Sequence, residues 1–252
     1  MSDALLQVRG LRKSYGALAV TDDVSLDVQA GQVHAIIGPN GAGKTTLIAQ
    51  LSGQLAPDAG QVIYDGADIT HLDMPGRVRR GLARSFQLTR ILPQLSVLEN
   101  VAIAVQARSG SSFRFWRPAG SEAGLNDQAM ECLSEVGLAD KAHRPARLIS
   151  HGEKRQLELA VALATGPRLL LLDEPLAGTG PDEAAMLVEL LSRLRSRVTM
   201  MLIEHDMGAV FQLADRVSVL VYGRIVASGT PDAIRDDPAV RTAYLGEEEG
   251  TP

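Results

Sequence analysis

The chain has 252 residues, 45% of them hydrophobic and 22% charged, enough to pack the core of one large domain or two small ones. Its net charge of −5 runs against a general nucleic-acid binder, which would be basic. No apolar run reaches the about 18 residues of a membrane span, and a single cysteine, Cys132, excludes an internal disulfide and a cysteine-cluster metal site. Met1-Ser2-Asp3 has neither the basic start nor the apolar core of an export signal, so a reducing, cytoplasmic compartment is expected. Cys132 shares a helical face with Leu125, Ala129, Leu133 and Val136, the setting of an inert thiol.

Leu5 to Leu11 and Val24 to Val28 read as strands, with Lys13-Ser14-Tyr15-Gly16 as a turn between them. Tyr15 is either a plain turn aromatic or a platform on which a purine base stacks. Val33 to Ile37 is a short buried strand. It runs into Gly38-Pro39-Asn40-Gly41-Ala42-Gly43-Lys44-Thr45, which fits G-x-x-x-x-G-K-[ST]; Thr46 to Ser52 then carries Leu47, Ile48 and Leu51 at helical spacing. Strand, glycine-rich loop and helix form the context this motif needs. Glycines let successive N–H groups wrap a polyphosphate, and the helix points its positive end at the same anion. Lys44 would reach the β- and γ-phosphates, and the Thr45 hydroxyl would hold Mg²⁺.

Gln61 to Tyr64 is a further strand, and Pro75 to Arg80 a short helix whose Arg77, Arg79 and Arg80 read as a solvated surface. Ala83 to Gln87 reads as a strand. Ser96 to Arg108 is a helix opened by a capping box of Ser96 and Glu99. Ser109 to Gly124 is a Ser/Gly/Pro-rich loop with aromatics, either a flexible surface insertion whose aromatics fold back onto a helix or a contact surface for a partner or lipid headgroups; Asn126 to Val136 is a helix stopped at Gly137. Ser150-His151-Gly152-Glu153 starts a helix to about Ala164 with a second capping box. It either only starts that helix or shows N–H groups and a hydroxyl to an anion.

Leu169 to Leu172 is a buried parallel strand ending in Asp173-Glu174. Open α/β sheets place ligands at such carboxyl ends. Asp173 fits a Mg²⁺ partner, and Glu174 a base that orients or deprotonates water. Pro181 starts a helix. Val198 to Ile203 is another strand, ending at Glu204-His205-Asp206, which puts His205 at the same sheet edge. Val217 to Val221 and Arg224 to Ala227 form a hairpin around Tyr222-Gly223. Thr230-Pro231-Asp232 starts a short helix, and Glu247 to Pro252 is a frayed end.

In this order the motifs resemble the ATP-binding subunit of ABC transporters over nearly the whole chain. The glycine loop with Lys44 corresponds to Walker A, Gln87 to the Q-loop, Ser150 to Glu153 to the signature, Leu169 to Glu174 to Walker B, His205 to the switch histidine and Tyr15 to the adenine platform. The Ser-His-Gly signature, the run from Asp237 to Gly246 and the loop from Ser109 to Gly124 look like the branched-chain amino acid importer subunits. The resemblance implies an α/β P-loop NTPase fold with an antiparallel β subdomain and a helical subdomain inserted at 88–164 of one 1–252 domain. It implies ATP held by Tyr15, Gly38, Pro39, Asn40, Gly41, Ala42, Gly43, Lys44, Thr45 and Thr46, with Ser150, His151, Gly152 and Glu153 serving a second ATPase subunit's nucleotide. Mg²⁺ would lie at Thr45, Gln87 and Asp173, and Glu174, His205, Lys44 and Gln87 would carry hydrolysis.

The implied partners are a second ATPase subunit, membrane permeases at the cytoplasmic face and, through them, an extracytoplasmic solute-binding protein; nucleic acid is not among them. In one place the chain departs from the family: Thr179-Gly180-Pro181 stands where Leu-Asp or Leu-Asn usually precedes the proline. That leaves room for a non-hydrolysing regulatory subunit, against which Glu174 and His205 argue. A soluble ABC ATPase acting on nucleic acid or ribosomes is the other alternative, opposed by the negative charge and the single Walker A loop.

Overall fold

The computed structural model describes residues 4–85, 91–109, 123–238 and 240. Two sheets organise it. The smaller is antiparallel, in the order β2 (Leu18–Val28), β1 (Leu6–Tyr15), β4 (Ala59–Tyr64), β5 (Ala67–Asp68). The larger runs β10 (Arg224–Gly229), β9 (Arg216–Val221), β3 (Val33–Ile37), β8 (Thr199–Ile203), β7 (Leu169–Asp173), β6 (Leu82–Arg84). Its strands pair in parallel except for β10.

Side-chain alternation explains why β7 and β8 read as unbroken apolar runs. Leu169, Leu171, Met201 and Ile203 face α1 (Lys44–Ser52), which is sandwiched between the sheets by Leu47, Ile48 and Leu51. Leu170, Leu172, Met200 and Leu202 face a helical layer. That layer includes α3 (Val97–Ser109), α4 (Ala123–Glu135), α5 (His151–Ala164) and α6 (Pro181–Leu194), through Val101, Leu133, Leu157 and Leu191. With both faces covered, every residue of these strands is buried. Helices α3, α4 and α5 pack on one another and lie in sequence between β6 and β7. At the far edge, α7 (Met207–Leu213) and α8 (Pro231–Arg235) pack on β3 and β9 through Val210 and Ile234.

The fold corrects several expectations. Lys13 to Tyr15 belong to β1, and the reversal falls at Gly16-Ala17. Register shifts at Val8/Leu11, Leu11/Lys13 and Lys13/Ser14 break the alternation that would have marked a long strand. Helix α4 starts at Ala123, earlier than Asn126. Cys132 is half-buried against the helical core, and burial raises its thiol pKa. Gln87, residues 110–122 of the aromatic loop and the charged end from Glu247 lie outside the described residues.

The largest correction is Arg77, on α2 (Met74–Arg79). Arg79 and Arg80 are exposed, but Arg77 is 1% exposed. Its guanidinium donates to the carbonyls of Gln50, Leu51, Thr70 and Leu72 at 2.7–3.0 Å. Two of these carbonyls close the carboxyl end of α1, where orphan acceptors and the negative end of the helix dipole favour a cation. Burial lowers the Arg77 pKa to about 10, so it stays charged at neutral pH. A basic residue in a basic run hid a helix cap. Arg77→Met should therefore lower the unfolding free energy by about 3 kcal/mol, whereas Arg79→Ala should stay within about 0.5 kcal/mol. Urea denaturation compares them, and equal small losses would return Arg77 to the surface.

Candidate nucleotide site

Three neighbouring strands of the larger sheet end at one level. Ile36 of β3 stands opposite Ile203 of β8, and Ile203 opposite Asp173 of β7. The loops leaving them, 38–43, 204–206 and 174–180, therefore start side by side.

The first loop is threaded where no side chain fits. A Cβ on Gly38 would lie 2.0 Å from the Leu220 carbonyl oxygen. One on Gly43, whose φ is +102°, would lie 2.2 Å from that of Val20. The Ala42 carbonyl accepts the Gly223 N–H at 2.9 Å, tying the loop to the β9–β10 turn. Lys44, 8% exposed, turns its amine back onto the carbonyls of Gly38 and Pro39 at 2.6 and 2.9 Å. Burial lowers the Lys44 pKa, while the carboxylates of Glu174 and Asp173 act to raise it, so all three share one electrostatic neighbourhood. Thr45 is exposed beyond it and Thr46 partly so; Asn40 and Gly41 are exposed at the loop's crest.

Asp173 is buried. Its Oδ2 accepts from Arg84 at 2.7 Å, and Arg84 also donates to Gln54 Oε1 at 2.7 Å. Asp173 Oδ1 is buried with no hydrogen-bond partner. Such an oxygen suits a hard divalent cation that keeps waters and takes ligand phosphates. Among the described residues no cluster of three or more His, Cys, Asp or Glu could hold a metal ion.

Glu174 takes a left-handed conformation, φ +47°, which costs a non-glycine residue about 1–3 kcal/mol and is fixed by its N–H on the Ile203 carbonyl at 2.9 Å. His205 is exposed at the next loop, and Asp206 caps α7 by accepting the Ala209 N–H. Between Ile203 and His205, Glu204 is completely buried. Tyr15 is more than half exposed at the β1–β2 hairpin, with Lys13 5.8 Å from its ring centre; β2 is the strand whose Val20 abuts Gly43.

The start of α5 lines a different hollow of about 220 Å³, with Thr179, Glu183 and Met186. Its capping box is complete: Ser150 Oγ accepts the Glu153 N–H and Glu153 accepts the Ser150 N–H. Lys141 pairs with Glu153 and holds its carboxyl below the usual range. Ser150 and His151 stay exposed, and the Glu183 carboxylate lies where a side chain on Gly152 would go. The Thr179 hydroxyl turns inward, onto the Leu176 carbonyl at 2.7 Å.

The structure thus brings the Gly38–Thr45 loop, Asp173 and Glu174 together, with His205 on the adjoining strand end. Sequence reasoning missed Arg84 and Glu204. Both are charges at strand ends whose partners, Asp173 for Arg84 and the Leu176 N–H for Glu204, are distant in sequence, a pattern legible only once the strand order is known.

A glycine-wrapped helix start at the carboxyl edge of a parallel sheet defines a P-loop nucleotide-binding protein. A family model described as ABC transporter matches residues 21–177, and one described as branched-chain amino acid ATP-binding cassette transporter matches residues 224–250. The chain is 40% identical over 254 aligned positions to the high-affinity branched-chain amino acid transport ATP-binding protein BraF of Pseudomonas aeruginosa, covering 98% of this chain and 100% of that one. It is 38% identical, with the same coverage, to LivG of Escherichia coli, and 32% identical to the lipopolysaccharide export ATP-binding protein LptB of Haemophilus influenzae, covering 97% and 98%. The ADP conformation of the ATP-binding cassette MJ1267 superimposes with a TM-score of 0.86 at 30% identity, covering 97% of this chain and 99% of that one. The chain belongs to the ABC transporter ATP-binding family, and it is an ATPase cassette with that family's fold.

Lys44→Ala should nearly abolish ATP hydrolysis and weaken nucleotide binding, because it removes the loop's side-chain cation. Steady-state turnover and calorimetry on the purified variant measure both. Wild-type values would take this loop out of the site.

Proposed function

We propose that the chain is the ATP-hydrolysing subunit of an importer that energises uptake of branched-chain or other hydrophobic amino acids through a membrane permease. The observation that carries this is end-to-end similarity to BraF and LivG, together with the branched-chain match over residues 224–250. The lower identity to LptB ranks export second. ATP would lie along residues 38–46 with its base on Tyr15. Bound Mg²⁺, held by Thr45 and Asp173 and completed by Gln87, would neutralise phosphate charge. Glu174 would take the proton of the attacking water and His205 would contact the γ-phosphate. Ser150 to Glu153 would serve the nucleotide of a second ATPase subunit. We take 1–252 as one domain, with 88–164 as its helical subdomain.

No described helix is long and apolar enough to cross a membrane, so attachment to the cytoplasmic face would come through the permease. A largely apolar hollow of about 330 Å³ offers the seat, lined by Val78, Ile91, Leu92, Ile103 and Val161. Leu92 and Ile103 lie exposed on it, as a groove for a partner's amphipathic helix requires. In the native host, deleting the gene should abolish high-affinity uptake of labelled leucine, isoleucine and valine. Wild type should restore it. Ile103→Glu should restore little, yet hydrolyse ATP normally when purified alone. Unchanged uptake in the deletion strain would refute the import reading.

A further inference from the structure

We propose that Glu204 is a positioning residue for hydrolysis: its two carboxylate oxygens clamp the turn carrying Glu174 to the loop carrying His205. The inference rests on the reading of Glu174 as the base that activates water.

Backbone pairing between β7 and β8 ends at Asp173 opposite Ile203, with a last contact from the Glu174 N–H to the Ile203 carbonyl. Beyond it a side chain takes over from the ladder. Glu204 Oε1 accepts the buried Leu176 N–H at 2.8 Å, and Oε2 accepts the His205 N–H at 3.1 Å. The same Oε2 lies 3.8 Å from His205 Nδ1. A carboxylate with no exposed surface is costly to place, and two N–H donors do not require a charge.

The geometry of Glu174 supplies the reason. Its left-handed backbone persists only if the surroundings over-determine it. Its N–H is fixed by Ile203. Its carbonyl accepts the Ala177 N–H at 3.1 Å, and Leu176, inside that turn, is fixed by Glu204. The Leu176 carbonyl in turn holds the N–H and hydroxyl of Thr179. A shift of the His205 loop would pass through one rigid carboxylate to the turn that aims Glu174, and on to Thr179. An amide replaces it only in part, because a glutamine keeps one acceptor oxygen and turns an NH₂ donor toward the other N–H.

The test uses the purified full-length chain with Glu204→Gln, Glu204→Ala, Glu174→Gln and the double variant Glu174→Gln/Glu204→Ala. Steady-state MgATP hydrolysis gives kcat and KM, and a fluorescent ATP analogue gives affinity. Glu204→Ala should lower kcat by about 10²-fold, the cost of misplacing a catalytic group by an ångström, with KM and affinity nearly unchanged. Glu204→Gln, which keeps the Leu176 contact, should fall between it and wild type. In the Glu174→Gln background, adding Glu204→Ala should change residual turnover by less than about twofold, because it has no base left to aim. Wild-type kcat in both Glu204 variants beside an inactive Glu174→Gln overturns the clamp alone. A parallel loss of kcat and affinity in Glu204→Gln, or full additivity in the double variant, overturns it too, leaving a merely structural residue. If Glu204→Ala does not fold, Glu204→Gln decides by the same criteria. Wild-type turnover in Glu174→Gln removes the base assignment itself, and the clamp with it.

Discussion

The pairing register of three parallel strands is the constraint on which the site depends. Ile36, Ile203 and Asp173 stand in one row, so the loops that follow begin together at one sheet edge. A slip of one residue in either pairing would turn the alternating apolar side chains of β7 or β8 to the wrong layer. Layer packing therefore holds the register. Leu171 and Ile203 lock it against α1, and Leu170 and Leu202 against the helices. Apolar packing thus sets where the charged groups stand.

Around that edge, buried charges do local work that apolar side chains cannot. Arg77 closes the far end of α1, whose near end is the loop wrapped around Lys44. Arg84 takes one oxygen of Asp173 and leaves the other without a hydrogen-bond partner. Glu204 joins two loops where the sheet stops. Each would be costly in an apolar interior and is kept by several hydrogen bonds or an opposite charge. The glycines make the complementary provision, since Leu220 and Val20 present carbonyl oxygens where a larger residue at 38 or 43 would need room.

Much of this was legible in the sequence because it is local. The glycine loop, both capping boxes, the apolar strands and the helix starting at Pro181 are written in neighbouring residues and appear where expected. What stayed hidden depends on distant partners. Arg77 looks like its exposed neighbours Arg79 and Arg80 until Gln50 and Thr70 are brought to it. Arg84 meets Asp173 only because β6 lies beside β7. The length of β1 was hidden for another reason: its bulges destroy the two-residue period before the chain turns at Gly16.

Amide hydrogen exchange with and without MgATP tests the central claim most directly. If the three strand ends form one nucleotide site, MgATP should slow exchange in the loop around 38–46, in 174–178 and in 204–207 together, while leaving α8 unchanged. Protection confined to the first loop, with the other two exchanging as in the nucleotide-free chain, would contradict the account.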